Sequence, residues 1–247
     1  MNLVDLSGKH LLITGASSGI GRSTSILCAS LGATLIICGR NKQRLNETFT
    51  SLSGGGHIAI CCDQTKDEDV RNLVEKLPML DGIAYCAGVQ ETCITKNINS
   101  EILSKLMNVN YSSTVLFNAQ ILKNKKLRKG ASIVFISSVA ATQRPEIGNA
   151  VYSSSKAALF SYSRVLALEL SLRHIRVNTV SPGMVCTPLH KQFDITQEQF
   201  QADMANYPLG YGEPEDVANA VAFLLSDAAK WITGSDFVLD GGLSLKH

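Results

Sequence analysis

The sequence predicts an α/β protein: one doubly wound parallel β-sheet with helices on both faces, in a single domain spanning residues 1–247. Three observations predict it. Short apolar runs alternate with longer helical patterns along the chain. The runs are apolar throughout, as strands buried on both faces must be. A glycine-rich turn, TGASSGIG from Thr14 to Gly21, follows the first run.

The elements follow in order. HLLIT is the first strand, and a helix ending in ILCASL comes after the glycine turn. TLIIC precedes RLNETFTSL, and IAICC precedes DVRNLVEKL. Between them SGGG, Ser53 to Gly56, is a turn and not a boundary, because strand-like sequence resumes at once. GIAYCA leads into a long helical segment ending at Leu122. SIVFIS, KAALFSYSRVLALEL and IRVNTVS continue the alternation, then a polar stretch from Thr187 to Gly212, EDVANAVAFLL and DFVLDG close it. No linker or repeat interrupts the pattern.

Composition narrows the function classes. With 45% hydrophobic and 18% charged residues the chain can bury a full core. Lys+Arg 23 against Asp+Glu 21 leaves a formal charge of +2, so no global field recruits nucleic acid or an anionic bilayer. No apolar stretch is long enough to span a membrane, and MNLVDLSGKH carries acid and glycine where a signal peptide needs an apolar run. A cytoplasmic protein acting on small molecules is expected. The seven cysteines (28, 38, 61, 62, 86, 93, 186) form no CxxC pair, and adjacent Cys61 and Cys62 poorly suit disulfide geometry, so neither metal nor disulfide is expected. Cys186 stands apart because it lies in a candidate active-site loop.

The glycine turn sits where a doubly wound sheet offers strand ends and a helix N-terminus to an anion. Gly15 can take backbone angles denied to other residues, Gly19 lets the main chain approach a pyrophosphate, and Gly21 permits close helix–strand packing. Ser17 and Ser18 add hydroxyls. The spacing is G-x-x-x-G-x-G, and a glycine triplet is a weak signal taken alone. Its position after the first strand gives it meaning.

After the second strand the sequence reads CGRNKQR, with Gly39 where NAD enzymes carry an acid and Arg40 next. A guanidinium fork matches a 2′-phosphate, so NADP(H) is expected; a solvated Arg40 among Lys42 and Arg44 is the alternative. Tyr152 and Lys156 are four apart on a helical pattern and share a face. An ammonium beside a phenol favours the phenolate, so Lys156 is expected to lower the Tyr152 pKa. Ser138 lies 14 positions before Tyr152, at a strand's C-terminal end.

TGASSGIG, CAG at Cys86–Gly88, NVNY with Asn110, ISSVA, YSSSK and SPGMVCT, in this order, resemble the short-chain dehydrogenase/reductase family in its compact branch, over essentially the whole chain. The resemblance implies a Rossmann-type fold with Asn110, Ser138, Tyr152 and Lys156 as catalytic residues. Tyr152 would protonate a ketone oxygen as hydride passes from nicotinamide C4 to the carbonyl carbon, Lys156 would also hold the nicotinamide ribose, and Asn110 would order a water relay. Ser138 is preferred to Ser137 because the family's serine directly precedes a small or branched apolar residue, here Val139. The coenzyme contacts implied are Gly15, Ser17, Ser18, Gly19, Ile20, Gly21, Arg40, Asp63, Gln64, Cys86, Ala87, Gly88, Tyr152, Lys156, Pro182, Gly183, Val185 and Thr187. Asp63 would accept from the adenine amine, cap the next helix, or both. The family's Asn-Asn-Ala-Gly is Tyr85-Cys86-Ala87-Gly88 here, so the asparagine side-chain bonds are missing.

A substrate lid is expected over about 187–212, with Met184, His190, Phe193 and Tyr207 as candidate lining; His190 is not needed as a catalyst, since Tyr152 fills that role. Within the family the chain is similar to 3-oxoacyl-acyl-carrier-protein reductases. The run KNKKLRKG, Lys123 to Gly130, with Arg173, is either a solvated loop or a dock for acidic acyl carrier protein. A steroid or sugar dehydrogenase, or an NADPH-sensing regulator without turnover, are the other readings. Surplus apolar residues over Ile102–Leu122 and Tyr152–Leu172, with the family resemblance, imply a homotetramer through these helices, with VLDGGLSL at a second interface.

Overall fold

A computed structural model describes residues 4–187 and 196–246. Seven parallel strands form one sheet in the order β3-β2-β1-β4-β5-β6-β7: β1 His10–Thr14, β2 Thr34–Gly39, β3 Ile58–Cys61, β4 Leu80–Tyr85, β5 Leu127–Ile136, β6 Arg176–Pro182 and β7 Asp236–Leu239. The order reverses between β1 and β4. Adjacent crossovers leave the sheet on opposite faces there, which opens a crevice at the strand C-termini.

The side-chain period of two decides which helices each strand meets. Leu12, Ile36, Ile83 and Phe135 point to one face and pack with α3 (Asp67–Lys76), α5 (Ser113–Lys123) and α7 (Ala150–Glu169). Their neighbours Leu11, Ile13, Leu35 and Val134 point to the other, against α1 (Gly19–Ser30) and α9 (Pro214–Leu225). Both faces are covered, so the strands read as unbroken apolar runs.

Four segments differ from the sequence reading. The single helix expected from Ile102 to Leu122 is α4 (Ser100–Met107), a π-helical turn (Asn108–Ser112) and α5. β5 begins at Leu127, well before SIVFIS, and the β4–β5 register shifts between Leu80 and Gly82 to accommodate it. The polar stretch contains helix α8, Gln197–Met204, started by a capping box between Thr196 and Gln199. VLDGGLSL is strand only through Leu239 and then turns through left-handed Gly241 and Gly242. The remaining named elements are α2 (Lys42–Thr50) and α6 (Val139–Thr142).

Candidate active site

The glycine turn joins β1 to α1 at the crevice. Gly15 has φ +65°, and a Cβ there would lie 2.7 Å from the Ala87 nitrogen. Two backbone turns therefore touch, the glycine turn and the Cys86–Gly88 turn after β4. Thr14 locks them: its Oγ1 accepts from the Cys86 and Ala87 amides at 3.1 and 3.3 Å. Sequence reasoning missed Thr14 as a site residue; a hydroxyl ending an apolar strand was the available signal. A Cβ on Gly21 would fall 2.4 Å from the Gly15 carbonyl oxygen, so α1 can start this close to the strand only with glycine. Ser18, the N-cap of α1, makes no side-chain capping bond.

A cleft of about 690 Å³ runs across the sheet reversal, a volume within the range of ligand sites. Its walls are the glycine turn from Gly15 to Ile20, Arg40 with Asn41 and Arg44, Asp63 to Thr65, and Cys86 to Gln90. Thr187 closes one side, near enough that a Cβ on Gly19 would meet its Cγ2 at 3.2 Å. Asp63 accepts from the Thr65 amide and hydroxyl at 3.0 and 2.7 Å, an Asx turn leading into α3, and these bonds with Arg40 hold its carboxyl below the usual carboxylate range although burial opposes them. The Gln64 side chain points away from the strand ends, into the α4–α5 junction.

At one end the cleft continues into a pocket of about 120 Å³ that brings together Ser138, Tyr152, Lys156, Pro182, Gly183 and Val185. Ser138 stands beside Tyr152 there, close enough for its hydroxyl to favour the phenolate. Ser137 faces elsewhere: its hydroxyl donates to the Lys156 carbonyl at 3.2 Å and ties β5 to α7. The Lys156 ammonium is buried, donates to the Ile136 carbonyl at 2.9 Å and stands 5.9 Å from the Tyr152 ring centre. Asn110 lies behind the pocket, fully buried in the π-turn. It exchanges two bonds with the Val89 backbone, accepting from N–H at 2.8 Å and donating to C=O at 2.9 Å, and also donates to Ser155 Oγ at 3.0 Å. Asn110 thus fixes the loop that walls the pocket, with Gly88 between it and Lys156.

The electrostatics correct one expectation. Burial pushes the Tyr152 phenol up to about 12, with the neighbouring Ser138 hydroxyl pulling the other way, and burial pushes the Lys156 ammonium down to about 8. Lys156 does not bring the phenol below its ordinary value, because burial outweighs its pull: both groups lose hydration and the ammonium is aimed at a carbonyl rather than at the hydroxyl.

Tyr85, in place of an asparagine, turns into the core, stacks on Phe135 with centroids 4.9 Å apart and donates to Asn118 at 3.2 Å. Cys86 faces the cleft, its thiol pushed up to about 12 by burial. Cys186 is also raised by burial. Met184 lines the pocket, and buried Tyr207 accepts from the Met184 amide at 3.3 Å. His190 and Phe193 lie outside the described residues. In the basic run Lys126 donates to the Leu77 carbonyl at 2.8 Å and Arg128 pairs with Asp81 at 3.4 Å; Arg173, from the turn after α7, donates to the Leu127 carbonyl at 2.5 Å. The run meets the N-terminal end of β5, and Ser138 follows its C-terminal end. Ten strand residues separate the two by roughly 30 Å.

Residues 15–244 match the family model described as Enoyl-(Acyl carrier protein) reductase. The chain is 35% identical over 242 residues to a 3-oxoacyl-acyl-carrier-protein reductase of Rickettsia felis, covering 98% of this chain and 99% of that one. It is 34% identical to carbonyl reductase family member 4 of Danio rerio, over 95% of this chain and 97% of the relative, and 32% identical to a glucose 1-dehydrogenase of Gluconobacter oxydans, over 97% and 93%. A solved short chain dehydrogenase/reductase family protein superposes with a TM-score of 0.88 at 32% identity, covering 98% of this chain and all of its own. A short-chain type dehydrogenase/reductase from Mycobacterium marinum gives 0.90 at 29% identity, covering 99% of each chain. The chain belongs to the short-chain dehydrogenase/reductase family of nicotinamide-dependent oxidoreductases.

Proposed function

We propose that the protein is an NADPH-dependent ketone reductase, working reversibly on secondary alcohols, with Tyr152 as the proton donor. One observation carries this reading: a half-buried tyrosine, beside Ser138 and four residues from a buried lysine, sits in a pocket opening into a dinucleotide-sized cleft.

The residues fit the coenzyme. The cradle at Gly15 and Gly88 is one that a Cβ would fill, the α1 N-terminus lacks a side-chain cap, and Arg40 and Arg44 are cations at the far end of the cleft. The glycine turn and α1 would hold a pyrophosphate, Arg40 a 2′-phosphate, Asp63 the adenine end, and Lys156 with Thr187 the nicotinamide end. When bound, the coenzyme supplies the hydride.

The chain supplies everything else. A phenol held near 12 is fully protonated at neutral pH, which is the form that donates to a ketone oxygen. Ser138 offers a second hydroxyl to that oxygen. The Lys156 cation stabilises the phenolate left behind, and Asn110 keeps the Val89 wall in place.

A 3-oxoacyl substrate on acyl carrier protein is the second reading, favoured by the name of the Rickettsia felis relative. Docking through Lys129 and Arg173 has to reckon with three partnered cations and with the length of β5. Self-association into a homotetramer is supported by Val165, Leu168 and Leu172, an exposed apolar stripe at helical spacing from α7 into the turn that follows it. The location proposed is cytoplasmic; no helix among the described residues is long and apolar enough to cross a membrane.

The test is NADPH oxidation by the purified protein against acetoacetyl thioesters, steroids, sugars and quinones, with Tyr152→Phe alongside. At least one ketone is expected to turn over, and the variant to lose that turnover by roughly a hundredfold or more while still binding NADPH. Undiminished turnover by Tyr152→Phe overturns the assignment. NADPH binding without turnover of any compound supports the regulator reading instead.

A further inference from the structure

We infer that Gln64 is a positioning residue linking the adenosine end of the cleft to the catalytic end through the π-turn that carries Asn110; this rests on the proposed reading of the site. In the π-turn the Ser113 N–H donates to Asn108, five residues back, instead of to Val109, its α-helical partner. The Val109 carbonyl loses that bond. Two side chains replace it: Ser113 Oγ donates at 3.1 Å and Gln64 Nε2 at 3.0 Å. The Gln64 amide also reaches Ser113 Oγ at 3.0 Å and Thr114 Oγ1 at 3.3 Å, so one carboxamide joins a carbonyl of the π-turn to two hydroxyls at the start of α5.

The two ends of Gln64 belong to different parts of the site. Its backbone lies between Asp63 and Thr65, in the Asx turn that lines the cleft beside Arg40. Its side chain ends one residue from Asn110, which holds the Val89 wall and Ser155, the neighbour of Lys156. A coenzyme settling on the Asp63 turn therefore braces the π-turn, and through it the wall facing the nicotinamide end. A leucine or valine at 64 would cover the same ground without donating, which leaves the Val109 carbonyl short of a partner.

The test compares Gln64→Met, similar in length but unable to donate, with Gln64→Glu, similar in shape but presenting a carboxylate to the carbonyl. Both are expected to lower kcat on a small ketone by roughly tenfold, with the Kd for NADPH within about twofold of the parent. In an Asn110→Ala background Gln64→Met should cost little more, because both changes act through the same turn. Hydrogen exchange supplies a readout independent of turnover. NADPH should slow exchange of the amides from 109 to 114 in the parent and not in Gln64→Met. Unchanged kcat, losses that multiply with Asn110→Ala, a raised Kd at unchanged kcat, or equal protection by NADPH in parent and variant would each overturn the inference. A parent that binds NADPH but reduces no ketone defeats the proposed function instead, and the exchange experiment still decides Gln64. Should Gln64→Met fail to fold, Thr114→Val and Ser113→Ala weaken the same clamp from the other side and face the same criteria.

Discussion

Ser138 stands beside Tyr152 in the pocket, and its neighbour Ser137 donates to the backbone carbonyl of the same helix at Lys156. The chain stays extended just past the end of β5, where adjacent residues point to opposite sides, so one serine faces the pocket and the other secures α7. Ser138→Ala should lower kcat by roughly a hundred- to a thousandfold, as loss of a donor to a developing oxyanion does. Ser137→Ala should mainly cost stability, about 1 kcal/mol for a lost buried hydrogen bond. Steady-state kinetics and thermal melts on the two variants check this. Equal losses of kcat would remove Ser138 from its role.

Arg40 stands at the rim of the cleft, exposed, beside Gly39, whose missing side chain leaves room for Ser17. Arg40→Asp replaces a phosphate-binding fork with a carboxylate that can take ribose hydroxyls and repels a 2′-phosphate. The KM for NADPH should rise roughly ten- to a hundredfold, the worth of a charged hydrogen bond, and that for NADH should fall. Parallel titrations with the two coenzymes decide it, and an unchanged ratio would place the selectivity elsewhere.

The sheet was legible because its signals are local: apolar runs, crossover patterns and turn glycines each lie within about ten residues. The π-turn was not. One extra residue in a helix leaves the apolar spacing on both sides intact, and only its polar content, Asn108, Asn110, Ser112, Ser113 and Thr114, distinguished the segment. α8 did leave a trace in Thr196-Gln-Glu-Gln199, the capping box hidden in a stretch read as polar loop. The Lys156 and Tyr152 pKa values could not be read from spacing, because depth of burial and the Ile136 carbonyl set them.

Gly21 is where the chain tolerates a side chain least. A Cβ there would sit 2.4 Å from the Gly15 carbonyl oxygen and 3.0 Å from that of Thr14, both backbone atoms that cannot rotate aside. Gly21→Ala must push α1 off the strand, at about 1–3 kcal/mol of overpacking strain. Gly55 offers a control, since a Cβ there meets nothing within 4 Å. Denaturant melts should show a lower midpoint for Gly21→Ala and little change for Gly55→Ala, and NADPH binding should weaken only in the first.

Lys156 gives the activity and the stability opposite dependence on pH. Its ammonium is pushed from 10.5 down to about 8 by burial, so the cation is lost from the folded protein as pH rises through about 8, while Tyr152, near 12, keeps its proton. Ketone reduction needs both, and kcat/KM should be level below about pH 8 and fall above it. Between about 8 and 10.5 the unfolded chain binds a proton at this lysine that the folded one does not, so this group makes folding more favourable as pH rises. A fall in rate from unfolding would carry the melting temperature down with it; a fall from Lys156 would not. Lys156→Met should lower kcat by roughly a hundredfold and flatten the alkaline limb, because no titrating amine remains at the pocket. An alkaline limb that survives in Lys156→Met would assign it to another group.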